Sequence, residues 1–480
     1  MAENRPNILL LMTDQHRGDC LGLAGHRFVQ TPYLDHIGAS GVFFRRAYSE
    51  CPVCVPARRS LMTGRTPASQ GTFMNYHTWL DGPTLPGVLS AAGYQSHLVG
   101  KLHFYPKRKL YGFDSADWSD SPRPEPGDDY QRFLQREGVH GPRLSEAHGC
   151  NQNGWSSRPW HMDERLHFTN WCASSAIEFL QRRDPTVPFF LNVSFLHPHQ
   201  PLTPPQVYYD RYMAMDIPLP PVAEWAEVFD APQLGLRVDS WRTWLTPQVM
   251  KQMMASYYAC INHIDDQIGR LMTVVPHNTI VVFTSDHGEM LGDHQWIRKR
   301  SAYEGSARIP MLMRFPHELG LPQGQAIDRP IQLMDIMPTL LDAVGVEAPD
   351  RVEGQSLLGL IRGEQDSFRE YVHGECAEVP SLNSGQQYLT DGRVKYIWYP
   401  GTGGEQLFDV ENDPHEMRDL AGQADWAATL ELWRGRLVEK LTGRPEGFTD
   451  GQKLLKLDGT TPFFAPGYDQ ATQNAKHGWA

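Results

Sequence analysis

Short runs of consecutive apolar residues alternate with longer stretches of helical periodicity over most of the chain. Uninterrupted apolar runs separated by helices are typical of a mostly parallel sheet covered on both faces. The pattern therefore predicts an α/β fold with a large, mixed central sheet flanked by helices. The predicted strands are Asn7 to Met12, Ser96 to Val99, Phe189 to Phe195 and Thr279 to Thr284. The predicted helices are Thr84 to Ala92, Leu166 to Arg182, Pro247 to Thr273 and Gln332 to Val344.

The pattern changes after residue 365, where short apolar runs follow one another without long helices between them. Such spacing predicts antiparallel strands, and an amphipathic helix follows at Trp426 to Leu441. We therefore predict a large domain over residues 1–365, a smaller C-terminal α+β subdomain with a short antiparallel sheet over residues 366–448, and an irregular tail over residues 449–480. The predicted strands of the subdomain are Gln387 to Thr390, Lys395 to Tyr399 and Glu405 to Asp409.

Two long stretches rich in proline interrupt the large domain, at Pro122 to Trp160 and Pro201 to Trp244. Loops of this length usually border a functional site, so both are candidate specificity elements. Their aromatic side chains either pack beneath the loops, the commoner reason, or stack on a ligand; they include Trp155, Trp160 and Trp225. The tail carries the apolar segment Thr461 to Pro466, which gives the hypothesis of a homo-oligomer joined through the C-terminal tail.

Composition and charge argue against several classes of function. The 480 residues carry 44 basic and 56 acidic side chains, a formal charge of −12 that is unfavourable for binding nucleic acid. The longest apolar runs have the length of strands, so no membrane span is expected. The amino terminus lacks the features of a signal peptide, and seven scattered cysteines show no disulfide or zinc-ligand spacing. We therefore expect a cytoplasmic protein, or a periplasmic or secreted one if a signal has been removed.

The segment Cys54 to Arg58 places a thiol just before a proline that can open a helix. Proline suits the first helical position because its missing N–H has no partner there. Cys54 is therefore predicted to lie at a helix N-terminus, where the helix dipole favours an anion, and Gly64 is predicted to end the helix. Taken alone, a buried structural cysteine before an ordinary helix explains the pattern about equally well.

Chemically reactive side chains follow each of the four predicted strands of the large domain. Because parallel strands end at one edge of a sheet, where ligands bind in open α/β folds, we expect these side chains to lie together. Each one alone has an ordinary explanation, since an aspartate after a strand usually forms a turn or a cap. The segments are Thr13-Asp14-Gln15-His16, Gly100-Lys101-Leu102-His103, Leu196-His197-Pro198-His199 and Ser285-Asp286-His287-Gly288.

These segments supply two kinds of group. The first is a set of mainly oxygen ligands with one imidazole, which suits Ca²⁺, Mg²⁺ or Mn²⁺ and fits structural zinc poorly; it comprises Asp14, Gln15, Asp286 and His287. The second is a set of cations and hydrogen-bond donors, namely Arg58, Lys101, His103, His199 and Lys299, the last of which could by itself be a solvated lysine. A metal and several cations beside a helix N-terminus suit a tetrahedral dianion, so a sulfate or phosphate ester is the predicted substrate.

The chain resembles the type I sulfatases of the alkaline phosphatase superfamily, with similar motifs in order from residue 7 to about residue 420. Cys54 to Arg58 matches the family's Cys-x-Pro-x-Arg signature, and Ser285 to Gly288 matches its second metal motif. Further similar blocks are Gly100 to His103, Tyr303 to Pro310 and Leu407 to Pro414. The resemblance implies an alkaline phosphatase-like fold and the activity of a sulfuric ester hydrolase, similar to an arylsulfatase.

The same resemblance implies a mechanism. Cys54 is expected to be oxidised by a formylglycine-generating enzyme, the formylglycine hydrate is the expected nucleophile, and the implied substrate is a small-molecule or saccharide sulfate ester. One divalent ion, Ca²⁺ first with Mn²⁺ or Mg²⁺ as alternatives, is expected to be held by Asp14, Gln15, residue 54, Asp286 and His287. The implied catalytic residues are Cys54, Arg58, Lys101, His103, His199 and Lys299, with His103 as the base, and the candidate substrate-binding residues are Asn75 and His197.

Two alternatives stay open. Many sulfatases carry Asp-Asp where this chain has Asp14-Gln15, a pair that also occurs in the related phosphonate monoester and phosphodiester hydrolases, together with an asparagine comparable to Asn75. Those hydrolases typically lack the residues that stand here as Lys101 and His103, so a sulfatase is the preferred interpretation. The other alternative is a metal-binding pseudoenzyme that only recognises sulfated ligands, and the complete set of site residues argues against it.

Overall fold

The structure is a computed structural model that describes residues 5–75, 79–120, 127–140, 149–229, 231, 240–364, 368–376 and 385–457. In chain order its strands are β1 (Asn7–Asp14), β2 (Val42–Phe44), β3 (Ala47–Tyr48), β4 (Gln95–Gly100), β5 (Ser115–Trp118), β6 (Phe189–Pro198), β7 (Thr279–Ser285), β8 (Arg308–Ile309), β9 (Met311–Arg314), β10 (Gln325–Ile327), β11 (Ile331–Gln332), β12 (Val372–Cys376), β13 (Gln386–Thr390), β14 (Val394–Tyr399) and β15 (Gly404–Asp409). Its helices are α1 (Pro32–Ala39), α2 (Cys54–Thr63), α3 (Pro67–Gln70), α4 (Leu85–Ala91), α5 (Asp129–Arg136), α6 (Phe168–Arg182), α7 (Gln206–Met213), α8 (Pro247–Met272), α9 (Glu304–Ala307), α10 (Ile336–Ala343), α11 (Leu358–Ile361) and α12 (Ala427–Leu441).

A central sheet runs through the large domain in the order β10-β2-β9-β7-β1-β6-β4-β5. Strand β1 lies between β7 and β6 and is parallel to both, with Leu9 opposite Val281 on one side and Leu191 on the other. Strand β4 is also parallel to β6, whereas β9 is antiparallel to β7 and β2. The sheet is therefore mixed and mostly parallel, which confirms the predicted fold class. A smaller sheet, β11-β3-β8, accompanies it.

The core strands are buried on both faces, which explains why they are uninterrupted apolar runs. Successive side chains of a strand point to opposite faces. In β1, Ile8, Leu10 and Met12 belong to one core, and Leu9 and Leu11 belong to the other. Helices α2, α4 and α10 cover the first face, and helices α1, α6 and α8 cover the second.

The predicted helices at Thr84 to Ala92 and Pro247 to Thr273 correspond to α4 and α8 within one residue at each end. The other two are interrupted near their starts. His167 is extended and its ring accepts a hydrogen bond from the Thr169 N–H, so α6 begins at Phe168 after a separate turn. A turn of 3-10 helix, Leu333–Asp335, likewise precedes α10. The periodicity of apolar residues alone predicts longer helices, and local side-chain hydrogen bonds set the later starts that the structure shows.

The C-terminal sheet is antiparallel throughout, in the order β12-β13-β14-β15. The three predicted strands correspond to β13, β14 and β15, and β12 was missed because its sequence, Val-His-Gly-Glu-Cys, contains no apolar run. Helix α12 packs on this sheet through Trp433, Leu437 and Leu441. The domain boundaries stay a prediction, and the tail segment Thr461 to Pro466 lies outside the described residues.

A buried ion cluster joins the C-terminal sheet to helix α9. Lys395 Nζ on β14 lies 2.7 Å from Glu304 Oε1 and 3.4 Å from Glu416 Oε1. The Glu304 N–H donates to Glu416 Oε2 at 2.8 Å. Burial, which Lys395 only partly offsets and the charge of Glu304 reinforces, raises the pKa of Glu416 from its usual 4.5 to about 7. Lys395 is therefore the ion-pair partner of two carboxyl groups, those of Glu304 and Glu416.

Several smaller features of the described residues bear on the sequence analysis. All seven cysteines are free and buried. Trp155, Trp160 and Trp225 pack against apolar clusters beneath the long loops, which supports the packing interpretation of these aromatics. No helix in the described part of the chain has the length and apolarity that crossing a membrane requires.

Candidate active site

Helix α2 carries Cys54 as its first residue and is buried along its whole length. Gly64 follows its last residue with left-handed backbone (φ 65°), as predicted. The helix begins before the predicted start, so Pro56 is its third residue rather than its first. Proline fits there too, because the N–H groups of the first turn have no helical partner. The Val55 N–H instead donates to Asn75 Oδ1 at 3.0 Å, so Asn75 holds this turn in place.

The carboxyl ends of β1 and β7 meet the start of α2. Asp14 ends β1, Asp286 and His287 follow β7, and their ligand atoms and that of Cys54 all lie within 4.8 Å of one another. Cys54 Sγ lies 3.2 Å from His287 Nε2 and 3.8 Å from Asp14 Oδ1. His287 Nε2 lies 3.6 Å from Asp286 Oδ1 and 3.8 Å from Asp14 Oδ1. All four side chains are buried, so the fold brings these four predicted metal ligands together.

Arg58, one turn into α2, holds both carboxylates through their Oδ2 atoms. Its Nε donates to Asp286 Oδ2 at 2.8 Å, and its Nη2 donates to Asp14 Oδ2 at 3.1 Å. Lys101 Nζ donates to the same Asp14 Oδ2 at 2.6 Å. The Oδ1 atoms are thereby directed towards the other ligand candidates.

Gln15 follows Asp14 with a positive φ of 70° and hydrogen-bonds in two directions. Its Oε1 accepts from Lys299 Nζ at 2.7 Å, and its Nε2 donates to Gln200 Oε1 at 2.8 Å and to Glu289. An amide oxygen has two lone pairs, so it can accept from Lys299 and still face an ion. Gln15 thus connects the ligand cluster to Lys299.

A cavity of about 250 Å³, here called the Cys54 cavity, opens at the start of α2. Arg58 and the ligand candidates other than Cys54 are buried and are not among the residues that line it. The long stretch Pro122 to Trp160 contributes Gln152 and Asn153 to the lining, so it borders the site as expected. The predicted catalytic or substrate-binding residues that line the cavity are Cys54, Asn75, Lys101, His103, His199 and Lys299.

His103 follows β4 with a left-handed backbone (φ 63°), and Asp120 holds that turn. Asp120 Oδ1 accepts from the Leu102 N–H at 2.8 Å and from the His103 N–H at 2.7 Å. Burial, reinforced by Lys101 and Arg58, holds the pKa of His103 well below its usual range. The imidazole is therefore neutral near pH 7, which is the form that accepts a proton.

Two histidines lie at the end of β6, His197 within the strand and His199 just after it, and it is His199 that lines the cavity. Its N–H donates to Asp14 O at 3.0 Å, and its Nδ1 lies 2.7 Å from Gln200 O. His197, a predicted substrate-binding residue, packs against the ring of His167 with 4.8 Å between ring centroids. The two side chains therefore lie in different surroundings.

The local field favours an anion at residue 54. Burial and the charge of Asp14 raise the pKa of the Cys54 thiol, but Lys299, Lys101 and His287 outweigh them and lower it overall. Burial would likewise raise the pKa of Asp14, yet Lys101 and the neighbouring cations hold it well below its usual range. Burial lowers the pKa of Lys299. Lys101 and Lys299, which the sequence predicted as site cations, thus lower the pKa of Cys54.

Sequence reasoning missed part of the cavity wall. Arg298 and Arg300, on either side of Lys299, line it together with Trp241. The guanidinium carbons of Arg298 and Arg300 lie 3.7 Å and 5.0 Å from a ring centroid of Trp241. The available signal was the basic run around Lys299. Asp120 also follows a strand, β5, so the rule about strand ends would have identified it had that strand been predicted.

The chain matches two family models. The model described as Sulfatase covers residues 6–346, and the model described as N-sulphoglucosamine sulphohydrolase, C-terminal, covers residues 292–442. The first spans every ligand candidate named above. The second overlaps its end and covers the C-terminal sheet and α12.

An arylsulfatase of Clostridium perfringens is 39% identical over 473 residues, covering 94% of this chain and 98% of that relative. The phosphonate monoester hydrolase of Agrobacterium radiobacter superposes with a TM-score of 0.77 at 24% identity, covering 94% of this chain and 100% of the other. A protein solved in complex with its substrate D-glucosamine-2-N,6-O-disulfate superposes with a TM-score of 0.72 at 24% identity, covering 91% and 98%; both structures share this fold. The chain therefore belongs to the sulfatase family, is a sulfatase and has an alkaline phosphatase-like fold.

Proposed function

We propose that this sulfatase cleaves sulfate monoesters with a formylglycine made from Cys54 as its nucleophile and one divalent metal ion as its cofactor. The observation that carries the proposal is the convergence of Cys54 with Asp14, Asp286 and His287 beneath a cavity lined by cations. A formylglycine-generating enzyme would convert Cys54 during maturation. The substrate would be a small-molecule or saccharide sulfate ester.

The ligand candidates fit a divalent ion. Two buried carboxylates present their Oδ1 atoms beside the Nε2 of His287, and the His287 Nδ1 lies 2.9 Å from Gly288 O, which orients the ring. Mainly oxygen donors suit Ca²⁺, with Mn²⁺ or Mg²⁺ as alternatives, and Gln15 Oε1 is a further proposed ligand. When bound, the ion would supply positive charge that lowers the pKa of an oxygen nucleophile.

Lys101, His199 and Lys299 are proposed to contact the oxygens of the sulfate group. Their side chains line the cavity and are buried, so their positions are fixed before substrate binds. Donors that are already in place stabilise charge developing on the reacting group in the transition state. Burial lowers the pKa of Lys299, which eases transfer of its proton to the leaving oxygen. Arg58 would fix both carboxylate ligands.

His103 is proposed as the base that accepts the proton released at residue 54. Its neutral imidazole, which lines the cavity, supports this role. Asn75 both lines the cavity and binds the first turn of α2, so it is a proposed substrate contact as well. His197 remains a weaker candidate, since its ring packs against His167.

The experiment that tests the mechanism is the mass of the peptide that contains residue 54, taken from active enzyme. We expect the formylglycine mass, and we expect Cys54→Ala to abolish hydrolysis of 4-nitrophenyl sulfate. Cys260→Ala is the matched control, because Cys260 is also buried but lies on α8. An active enzyme with an unmodified thiol at residue 54 would show the proposed nucleophile to be wrong.

Hydrolysis of phosphonate monoesters or phosphodiesters is a second candidate activity, favoured by the amide of Gln15 beside the carboxylate cluster. The cavity positions of Lys101 and His103 favour sulfate esters. We therefore expect one preparation to hydrolyse 4-nitrophenyl sulfate faster than a phenyl phosphonate ester. A much faster phosphonate reaction would reverse the order of the two proposals.

A further inference from the structure

The Cys54 cavity carries more positive charge than the chemistry of one sulfate group requires. The proposed mechanism uses Lys101 and Lys299 and leaves the other basic lining residues without a role. Asp120 is the single carboxylate of the described lining, and its Oδ1 accepts two backbone N–H groups. The basic lining residues are Lys101, Lys107, Arg298, Lys299 and Arg300.

The additional cations lie nearer the mouth of the cavity than its floor. Lys299 is buried and reaches inward to Gln15, whereas Arg298 and Arg300 on either side of it are half-buried. Lys107 is half-buried as well. The sulfur that reacts must approach residue 54 at the floor, so groups at the mouth face the alcohol part of the ester.

Trp241 holds the two arginines in place. Its carbonyl accepts a hydrogen bond from the Ile297 N–H at 2.9 Å, which fixes this segment beside the basic run. The guanidinium carbons of Arg298 and Arg300 lie 3.7 Å and 5.0 Å from a ring centroid of the indole. Two cations against one indole are stabilised by its π electrons. The indole of Trp241 therefore positions the two guanidinium groups. A guanidinium group presents parallel N–H donors that can bind two oxygens of a carboxylate or sulfate.

We infer that the enzyme selects sulfate esters whose alcohol part carries a second anionic group, a carboxylate or a second sulfate, which Arg298 and Arg300 bind at the mouth of the Cys54 cavity. The inference rests on the proposed function, because it takes the sulfate that is cleaved to lie at residue 54. A cationic alcohol is disfavoured, since it would meet like charges at the mouth. A neutral alcohol gains nothing from the two arginines.

The test compares esters that share one aryl scaffold. We would measure kcat/KM for 4-nitrophenyl sulfate, for the same ester with a carboxylate or a sulfonate at ring position 3, and for the same ester with a trimethylammonium group at that position as a cationic ester. A charge-assisted hydrogen bond predicts at least about a tenfold preference for an anionic aryl ester over the neutral one. The carboxylate and sulfonate esters distinguish the two kinds of second anion.

Arg300→Gln should reduce this preference about tenfold, and Arg298→Gln should act in the same direction. The preference is a ratio measured on one protein, so incomplete folding or incomplete conversion of Cys54 does not change it. Arg362→Gln is the matched control, because Arg362 is exposed beyond the end of α11, and it should keep the ratio. Titration calorimetry with Cys54→Ala repeats the comparison without turnover, and the anionic esters should again bind about tenfold more tightly.

The outcomes separate this inference from the proposed function. Sulfate release that is equal or faster with the neutral or cationic aryl ester would overturn the inference and leave the sulfatase mechanism intact. A ratio unchanged by both arginine substitutions would also overturn it. No sulfate release from any ester by protein with a converted residue 54 would overturn the proposed function, and the inference with it.

Discussion

Replacing Glu416 by glutamine should stabilise the protein at alkaline pH and have little effect at acid pH. Glu416 is the second carboxyl group on Lys395, whose ammonium already lies 2.7 Å from Glu304 Oε1. Its pKa is raised from 4.5 to about 7, with burial as the main cause. An acid whose pKa is raised by folding costs no stability below its unfolded pKa and costs most above its folded pKa.

The size of the effect follows from the same shift. A rise from 4.5 to about 7 is about 2.5 pKa units, and at 1.36 kcal/mol per unit the ionised carboxylate costs about 3 kcal/mol at pH 8.5. At pH 5 the carboxyl group takes up a proton on folding, and the cost falls below about 1 kcal/mol. Glutamine keeps the shape and an oxygen for the Glu304 N–H, and it carries no charge.

Urea unfolding followed by tryptophan fluorescence at about pH 5 and about pH 8.5 would measure the difference. Glu416→Gln should raise the unfolding midpoint at the higher pH. Glu405→Gln is a control of opposite sign. Partial burial would raise the pKa of Glu405, but the hydrogen bonds from Arg434 and Tyr396 and the charge of Arg434 together outweigh it and lower that pKa. This substitution should therefore lower the midpoint at the higher pH. If Glu416→Gln is destabilising at pH 8.5, the assignment of Glu416 as the surplus charge is refuted.

Two further predictions concern the active site. Lys299→Met should lower kcat/KM for 4-nitrophenyl sulfate at least about 100-fold, because it removes both a sulfate contact and a proton donor; a loss below about tenfold would contradict these roles. Removing divalent ions with EDTA should lower the thermal unfolding midpoint of Cys54→Ala, because Asp14 and Asp286 lose their shared cation. Adding Ca²⁺ or Mn²⁺ should restore it, and a midpoint that ignores both treatments would contradict the metal site.

The apolar pattern of the sequence predicted the long strands that are buried on both faces of the sheet. It missed the very short strands, which form only because neighbouring strands pair with them. Strand β1 is apolar on both sides because helices cover both faces of the sheet. Strands β2 and β10 are three residues long, and they form through pairing with each other and with β9. No local pattern of so few residues distinguishes a strand from a loop, so only the fold as a whole decides them.

The ligand cluster was predictable for the same reason as the core. Asp14 and Asp286 each follow an apolar run, and the parallel arrangement of those strands places their ends at one edge of the sheet. The second wall of the cavity was not predictable in this way. Trp241 reaches Arg298 because residues 241–243 hydrogen-bond alongside residues 295–297, and these two irregular segments lie far apart in the sequence. Their pairing is not accompanied by a periodic pattern of apolar residues in the sequence.

The depth at which Cys54 lies has a consequence for how the protein is made. Its side chain is 1% exposed, and every other residue of α2 is buried as well. If Cys54 is converted as proposed, a maturation enzyme that encloses residue 54 would have to meet the chain before this helix packs. His287, which lies against Cys54, comes 233 residues later in the sequence. Residue 54 is therefore synthesised well before His287 can pack against it. Under the proposed mechanism, a molecule that folds with its thiol intact would keep it, and the active fraction of a preparation would be decided during synthesis.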